Sequence, residues 1–163
     1  MTGFRIGVAA VTLPLVCLAL VWVGRSPEAE SPVDAPSVSR DLPAAAVLRS
    51  WDRRRAAAYA AMAPGRLRAL YVRGAGASDV HLLERYRSRG WRVLGMRMQV
   101  LALAVTSRDA DGLRVRVTDR LADAVAVRPG ERVRLPRDRA GTRTVTLLRG
   151  SDGVWRVAAV RAG

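Results

Sequence analysis

Lysine is absent from this chain of 163 residues, so all 28 basic charges are arginine, set against 14 acidic residues for a net charge of +14. Histidine and cysteine occur once each, as His81 and Cys17. A single cysteine allows no intramolecular disulfide and no cysteine metal centre, so the domain must be held by its core alone. One histidine and scattered acids supply no metal cluster, and no cofactor or metal is expected. There is no phosphate-binding loop, dinucleotide fingerprint or Gly-x-Ser-x-Gly nucleophile motif. Gly74-Ala75-Gly76 is too short and precedes no suitable strand–helix unit. The arginines are spread along the chain rather than clustered, which argues for a solvated surface and against nucleic-acid binding. Near a membrane anchor they would also attract anionic lipid headgroups.

What is present begins with an uncharged apolar run, Ile6 to Val23. As a helix it spans roughly 27 Å, close to the thickness of a bilayer core. Pro14 sits mid-run, where membrane helices tolerate a kink, and Trp22 falls where an interfacial aromatic belongs. Three fates compete: an uncleaved anchor, a cleaved signal peptide and a lipoprotein. Val16 before Cys17 is a poor lipoprotein site, and Val21-Trp22-Val23-Gly24-Arg25 is a poor cleavage site. An anchor over residues 1–24 is therefore expected. Arg5 and Arg25 nearly balance, but the short tail with its free amine favours a cytoplasmic N-terminus and an exported domain. That is a single-pass protein of the cell membrane, in contact with the bilayer through its N-terminal helix.

Residues 25–40 carry three prolines, several serines and three acids, and read as a semi-extended linker. Half of the whole sequence is hydrophobic, and residues 41–163 suffice for one domain with one core. Asp41 and Pro43 suit a helix start, and Val47, Leu48, Trp51, Ala58, Tyr59 and Met62 follow helical spacing. Arg49, Asp52, Arg53 and Arg54 fall mostly off that stripe. Pro64-Gly65 breaks the helix, and a short second helix carries Leu67, Leu70 and Tyr71. Ser78 is placed to cap a third helix, with Leu82, Leu83 and Tyr86 on one face and an end at Gly90.

The period then changes. Val93 to Thr106 reads as an extended strand, and Asp109-Ala110-Asp111-Gly112 as a turn. Leu113, Val115 and Val117 alternate with polar residues in a half-buried strand that continues past Asp119. Val133 and Leu135 mark a short strand. Thr142 to Arg149 and Val154 to Arg161 are joined by a Ser151-Asp152-Gly153 hairpin turn. Strands linked by short turns make an antiparallel sheet, and helices placed ahead of it make an α+β domain.

Four elements in this order carry a resemblance: the long helix around Trp51, the short helix Arg66–Tyr71, the helix ending in Arg89-Gly90, and the closing Gly153-Val154-Trp155-Arg156-Val157. Over about residues 42–161 the chain resembles the NTF2-like (cystatin-like, SnoaL-type) cone superfamily. It is similar to membrane-anchored actinobacterial envelope proteins of that kind, such as the Mce-associated proteins. The resemblance implies about three helices packed on a curved sheet that encloses a cavity, and it implies no single activity.

Trp51, Tyr59, Asp119 and Trp155 are the candidate cavity residues, with core packing the alternative for the aromatic ones. Asp119 shares strand phase with Val115 and Val117 and so points inward. Enzymes of the resembling fold often use an inward Asp with a His, which nominates Asp119 and His81. Against this, an arginine such as Arg156 or Arg143 would engage Asp119, and His81 sits on a polar helix face beside Asp79 and Glu84. Asp123 lies in the same strand segment. The expectation is a non-catalytic binding or scaffolding module that docks an envelope protein. The alternatives are a small-molecule isomerase or cyclase, and a carrier of lipid or apolar ligands in the cone cavity. The sequence specifies no oligomeric state.

Overall fold

The computed structural model describes residues 38–163. Three helices precede five strands: α1 (Val38–Ala60), α2 (Pro64–Arg68), α3 (Ala77–Ser88), β1 (Arg92–Arg108), β2 (Gly112–Arg128), β3 (Glu131–Arg134), β4 (Gly141–Arg149) and β5 (Trp155–Ala162). The expected anchor, residues 1–24, lies outside the described residues. No helix of the described residues is long and apolar enough to cross a membrane.

α1 begins at Val38, ahead of the start expected at Asp41, so residues 38–40 of the stretch read as linker are helical. Pro43 lies inside the helix and is exposed. The backbone bond it forgoes would reach Ser39 in the first turn, where carbonyls are readily solvated, so the helix is not stopped. The helix ends one turn before Pro64-Gly65. Met62 adopts φ 50°, its N–H reaches the Tyr59 carbonyl at 3.1 Å, and the Ala63 N–H reaches the Ala58 carbonyl at 3.0 Å. This is a Schellman cap with methionine in the usual glycine place. Pro64 instead opens α2.

Gly76, not Ser78, caps α3, in a left-handed conformation at φ 72°. A Cβ there would fall on the Tyr71 ring. Gly90, at φ 71°, ends α3 with the same hydrogen-bond pattern that closes α1, as the sequence suggests.

The sheet is antiparallel in the order β1-β2-β4-β5, with β3 pairing to β2. The long hairpin of β1 and β2 is interrupted by register shifts at Leu94/Arg97, Arg97/Met98, Val100/Ala102 and Val105/Ser107. Bulges of this kind bend and twist a strand, which curves the sheet. In β2 the buried set is Leu113, Val115, Val117 and Asp119, then Ala122, Ala124 and Ala126. The strand changes phase between Asp119 and Ala122, so alternation read from Leu113 does not carry to its end. β3 is exposed throughout, and Val133 is not a core residue.

α1 packs chiefly on β1, and the core forms where Leu48, Trp51 and Tyr59 meet Leu83, Val93, Val115 and Leu147. Beyond β5, Val72 N–H donates to the Val157 carbonyl and Val157 N–H to the Leu70 carbonyl. This gives a one-residue parallel bridge between Tyr71 and Val157.

Candidate functional site

None of the four nominated cavity residues lines either of the two hollows described below. Trp51 is buried and its indole N–H donates to the Leu70 carbonyl at 3.0 Å, tying α1 to the end of α2. The ring also meets Tyr71 edge-on at 5.5 Å. Trp155 is half-buried against the core, and its carbonyl accepts from Arg54 Nη2. Arg54, which falls off the apolar stripe of α1, is thereby half-buried against β5.

Asp119 does point inward and is only 5 % exposed. Arg143 on β4 donates to its Oδ2, so of the two arginines considered Arg143 is the partner. Arg156 pairs instead with Asp152 within the β4–β5 hairpin. His81 is exposed on α3, with Nδ1 3.4 Å from Glu84 Oε2. Asp123 pairs with Arg134 of β3. No hydrogen bond or ion pair joins Asp119 to His81.

Tyr59, itself buried, belongs to a part-buried polar cluster. Arg55 forms a two-pronged pair with Asp79, through Nε to Oδ2 at 2.7 Å and Nη2 to Oδ1. Tyr59 and Tyr71 each donate a hydroxyl to the same carboxylate at 2.7 Å. Burial pushes the Asp79 carboxyl up, but Arg55 and then the two phenols outweigh it and hold it below the ordinary range. Burial, then the Asp79 charge, raises both phenols. Arg55 also lies over the Tyr59 ring at 5.2 Å. Each oxygen of the Asp79 carboxylate takes two donors, so the cluster fastens α1 to α3.

An open groove of about 660 Å3 runs between α1 and β1. Leu48, Asp52 and Ala56 line it from α1, with Met96, Met98, Val100 and Leu103 opposite. Asp52 is its unusual residue. Its Oδ1 is buried without a hydrogen-bond partner. Burial raises its carboxyl to about 6, with Arg55 and Arg143 opposing and Asp119 adding to the rise. Asp52 is not among the residues expected from sequence, because polar residues off the apolar stripe of α1 are expected to face outward. The spacing held the signal: Leu48, Asp52 and Ala56 are four apart and share a helix face.

A second hollow of about 330 Å3 is lined by Arg97, Met98, Gln99, Arg120, Ala122 and Arg137. Arg120 Nε donates to Gln99 Oε1 at 2.9 Å, and Arg137 Nε to the Ala122 carbonyl at 3.1 Å. Both guanidinium groups keep their terminal nitrogens unengaged among the described residues. Groups of three or more potential metal ligands are absent among the described residues.

No protein-family model matches this sequence, and no curated protein matches it. Solved structures do. The intermembrane space region of the chloroplast protein ARC6 aligns at a TM-score of 0.51 and 16 % identity, over 75 % of this chain and 96 % of that one. A protein from Catenulispora acidiphila aligns at 0.48 and 13 % identity, over 77 % and 94 %. A structure from the same organism in complex with S-DNPA aligns at 0.47 and 14 % identity, over 73 % and 91 %. The first of these likenesses supports a shared cone-like α+β fold for the described residues.

Proposed function

We propose that this chain is a membrane-tethered, extracytoplasmic module of NTF2-like kind that acts in the cell envelope by binding rather than catalysis. The observation that carries this reading is the fate of Asp119. The aspartate that an acid–base mechanism would use is engaged by Arg143, and the sole histidine stands apart on the surface with Glu84. General acid–base chemistry needs such groups within reach of one another and of a substrate. The tether itself rests on the apolar run Ile6–Val23. The ARC6 region, described as an intermembrane space region, accords with a fold of this kind standing beside membranes.

A protein partner of the envelope would meet the exposed arginines, such as Arg85, Arg87 and Arg89 at the end of α3. Crosslinking of the full chain in intact membranes tests this. Asp119→Asn and His81→Ala, if folded, should keep partner capture and cellular function. Arg85→Glu with Arg89→Glu should lose capture. Loss of function in the two single variants, with capture intact, would instead establish an enzyme.

One observation favours that second reading, an isomerase-type enzyme: Asp52 stands in an open groove with its carboxyl raised to about 6. Asp52→Asn separates the two. A binding module keeps its function, whereas an enzyme using Asp52 as its base loses it with the fold unchanged.

A further inference from the structure

The groove under α1 and the arginine hollow are neighbours: both include Arg97 and Met98. The reason lies in β1, whose register slips on each side of Arg97. Successive side chains of a regular strand serve opposite faces, and a bulge re-aims them. At this bend two adjacent residues reach both spaces. The two spaces thus adjoin at the bend in β1, the mainly apolar groove on its α1 side and the cationic hollow beside Gln99 and Arg120.

The two parts differ in chemistry. The groove is mainly apolar along Leu48, Met96, Met98 and Leu103, with Arg49, Asp52 and Arg53 on its α1 side, and methionine adapts to flexible apolar chains. Its size falls within the roughly 300–1,000 Å3 of ordinary small-molecule sites. The hollow presents Arg97, Arg120 and Arg137, with no carboxylate among its lining residues. Guanidinium groups with free terminal nitrogens suit carboxylate or phosphate oxygens. At the groove, Val100 is 36 % and Leu101 49 % exposed, and exposed apolar residues on an edge strand commonly mark a surface that something covers.

We propose that this composite site binds a long-chain amphiphile with an anionic head, the acyl chain lying along the α1–β1 groove and the head held by Arg97, Arg120 and Arg137. The proposal rests on the binding reading and names the class of ligand.

A photoactivatable 16-carbon fatty acid carrying a mid-chain diazirine, and the fatty alcohol of the same chain, test it on the full chain in discs of zwitterionic lipid. Both probes enter the disc, so a difference between them reports the head. The acid should label the segment 98–108 and the α1 segment 41–53 at least fivefold above the rest of the domain. The alcohol should label these segments several-fold less than the acid. Arg120→Gln with Arg137→Gln should bring the acid down to the level of the alcohol. Leu103→Asp should abolish local labelling by both, with circular dichroism confirming the fold of each variant. Inorganic phosphate at millimolar concentration should not protect. Equal labelling by acid and alcohol, labelling spread evenly over the domain, or full protection by phosphate alone each overturns the proposal. Such a failure leaves the partner-capture result standing, whereas loss of capture with localised labelling removes the docking role alone.

Discussion

Asp52 and Asp79 are two aspartates with opposite fates. A carboxyl whose folded pKa lies above its unfolded value favours the fold when protonated. For Asp52, raised from 3.8 to about 6, a penalty accrues as pH rises through that window and is complete above it. Asp52→Asn should therefore stabilise the domain by on the order of 2 kcal/mol at pH 7.5, and by almost nothing at pH 3.5. Urea unfolding at the two pH values reads this, and an unchanged midpoint at pH 7.5 would contradict it. Asp79 has the reverse sign. Its lowered carboxyl contributes stability above the unfolded pKa, and that stability is lost as pH falls through the folded value. Asp79→Ala leaves Arg55 buried without its partner, at a cost of about 3–5 kcal/mol. Tyr71→Phe removes one hydroxyl bond and should cost about 1 kcal/mol. Trp51→Ala, which removes a buried ring and its bond to Leu70, should cost about 3–5 kcal/mol. Equal effects of Tyr71→Phe and Asp79→Ala would mean that the carboxylate is not the centre of the cluster.

At the scale of elements, the two ends of the loop regions are set by single backbone conformations. Gly76→Ala meets both a left-handed φ and the Tyr71 ring, so it should destabilise by more than the usual ~1 kcal/mol for such a site. Met62→Gly relieves a left-handed φ and loses some packing, so its net effect on the melting temperature should be small by comparison. The order of elements was legible in the sequence because periodicity is a local property. Helical spacing around Trp51 and alternation from Leu113 both report which face is buried. What could not be read locally was pairing across the chain. Nothing near Asp79 marks Arg55, 24 residues earlier, as its partner. The phase change in β2 was hidden because the flanking alanines and valines are apolar on both faces. The inward direction of Asp119 is legible because alternation in β2 is regular up to that point, and the excess of arginine makes its pairing with Arg143 an expected one.

For the whole molecule, Ala35–Gly163 forms one compact unit. A soluble fragment of those residues should fold unaided, with circular dichroism showing helix and sheet together; a purely helical spectrum would be inconsistent with five strands. The full chain should remain in the membrane pellet after alkaline carbonate, through Ile6–Val23, and its release would remove the tether. The bridge from Tyr71 to Val157 bears on how copies of the domain meet. It places a short stretch of main chain against β5, so that border of the sheet is already bonded around Val157. Among the described residues no strand pairs with the outer side of β1 at Val100 and Leu101, which are exposed. Association of strands between molecules is thus directional. At high concentration β1 should meet β1 of a second copy, giving a closed pair rather than an open fibre, because the opposite border is blunted. Leu101→Lys should suppress that pair in light scattering, and Val160→Lys on β5 should leave it unchanged.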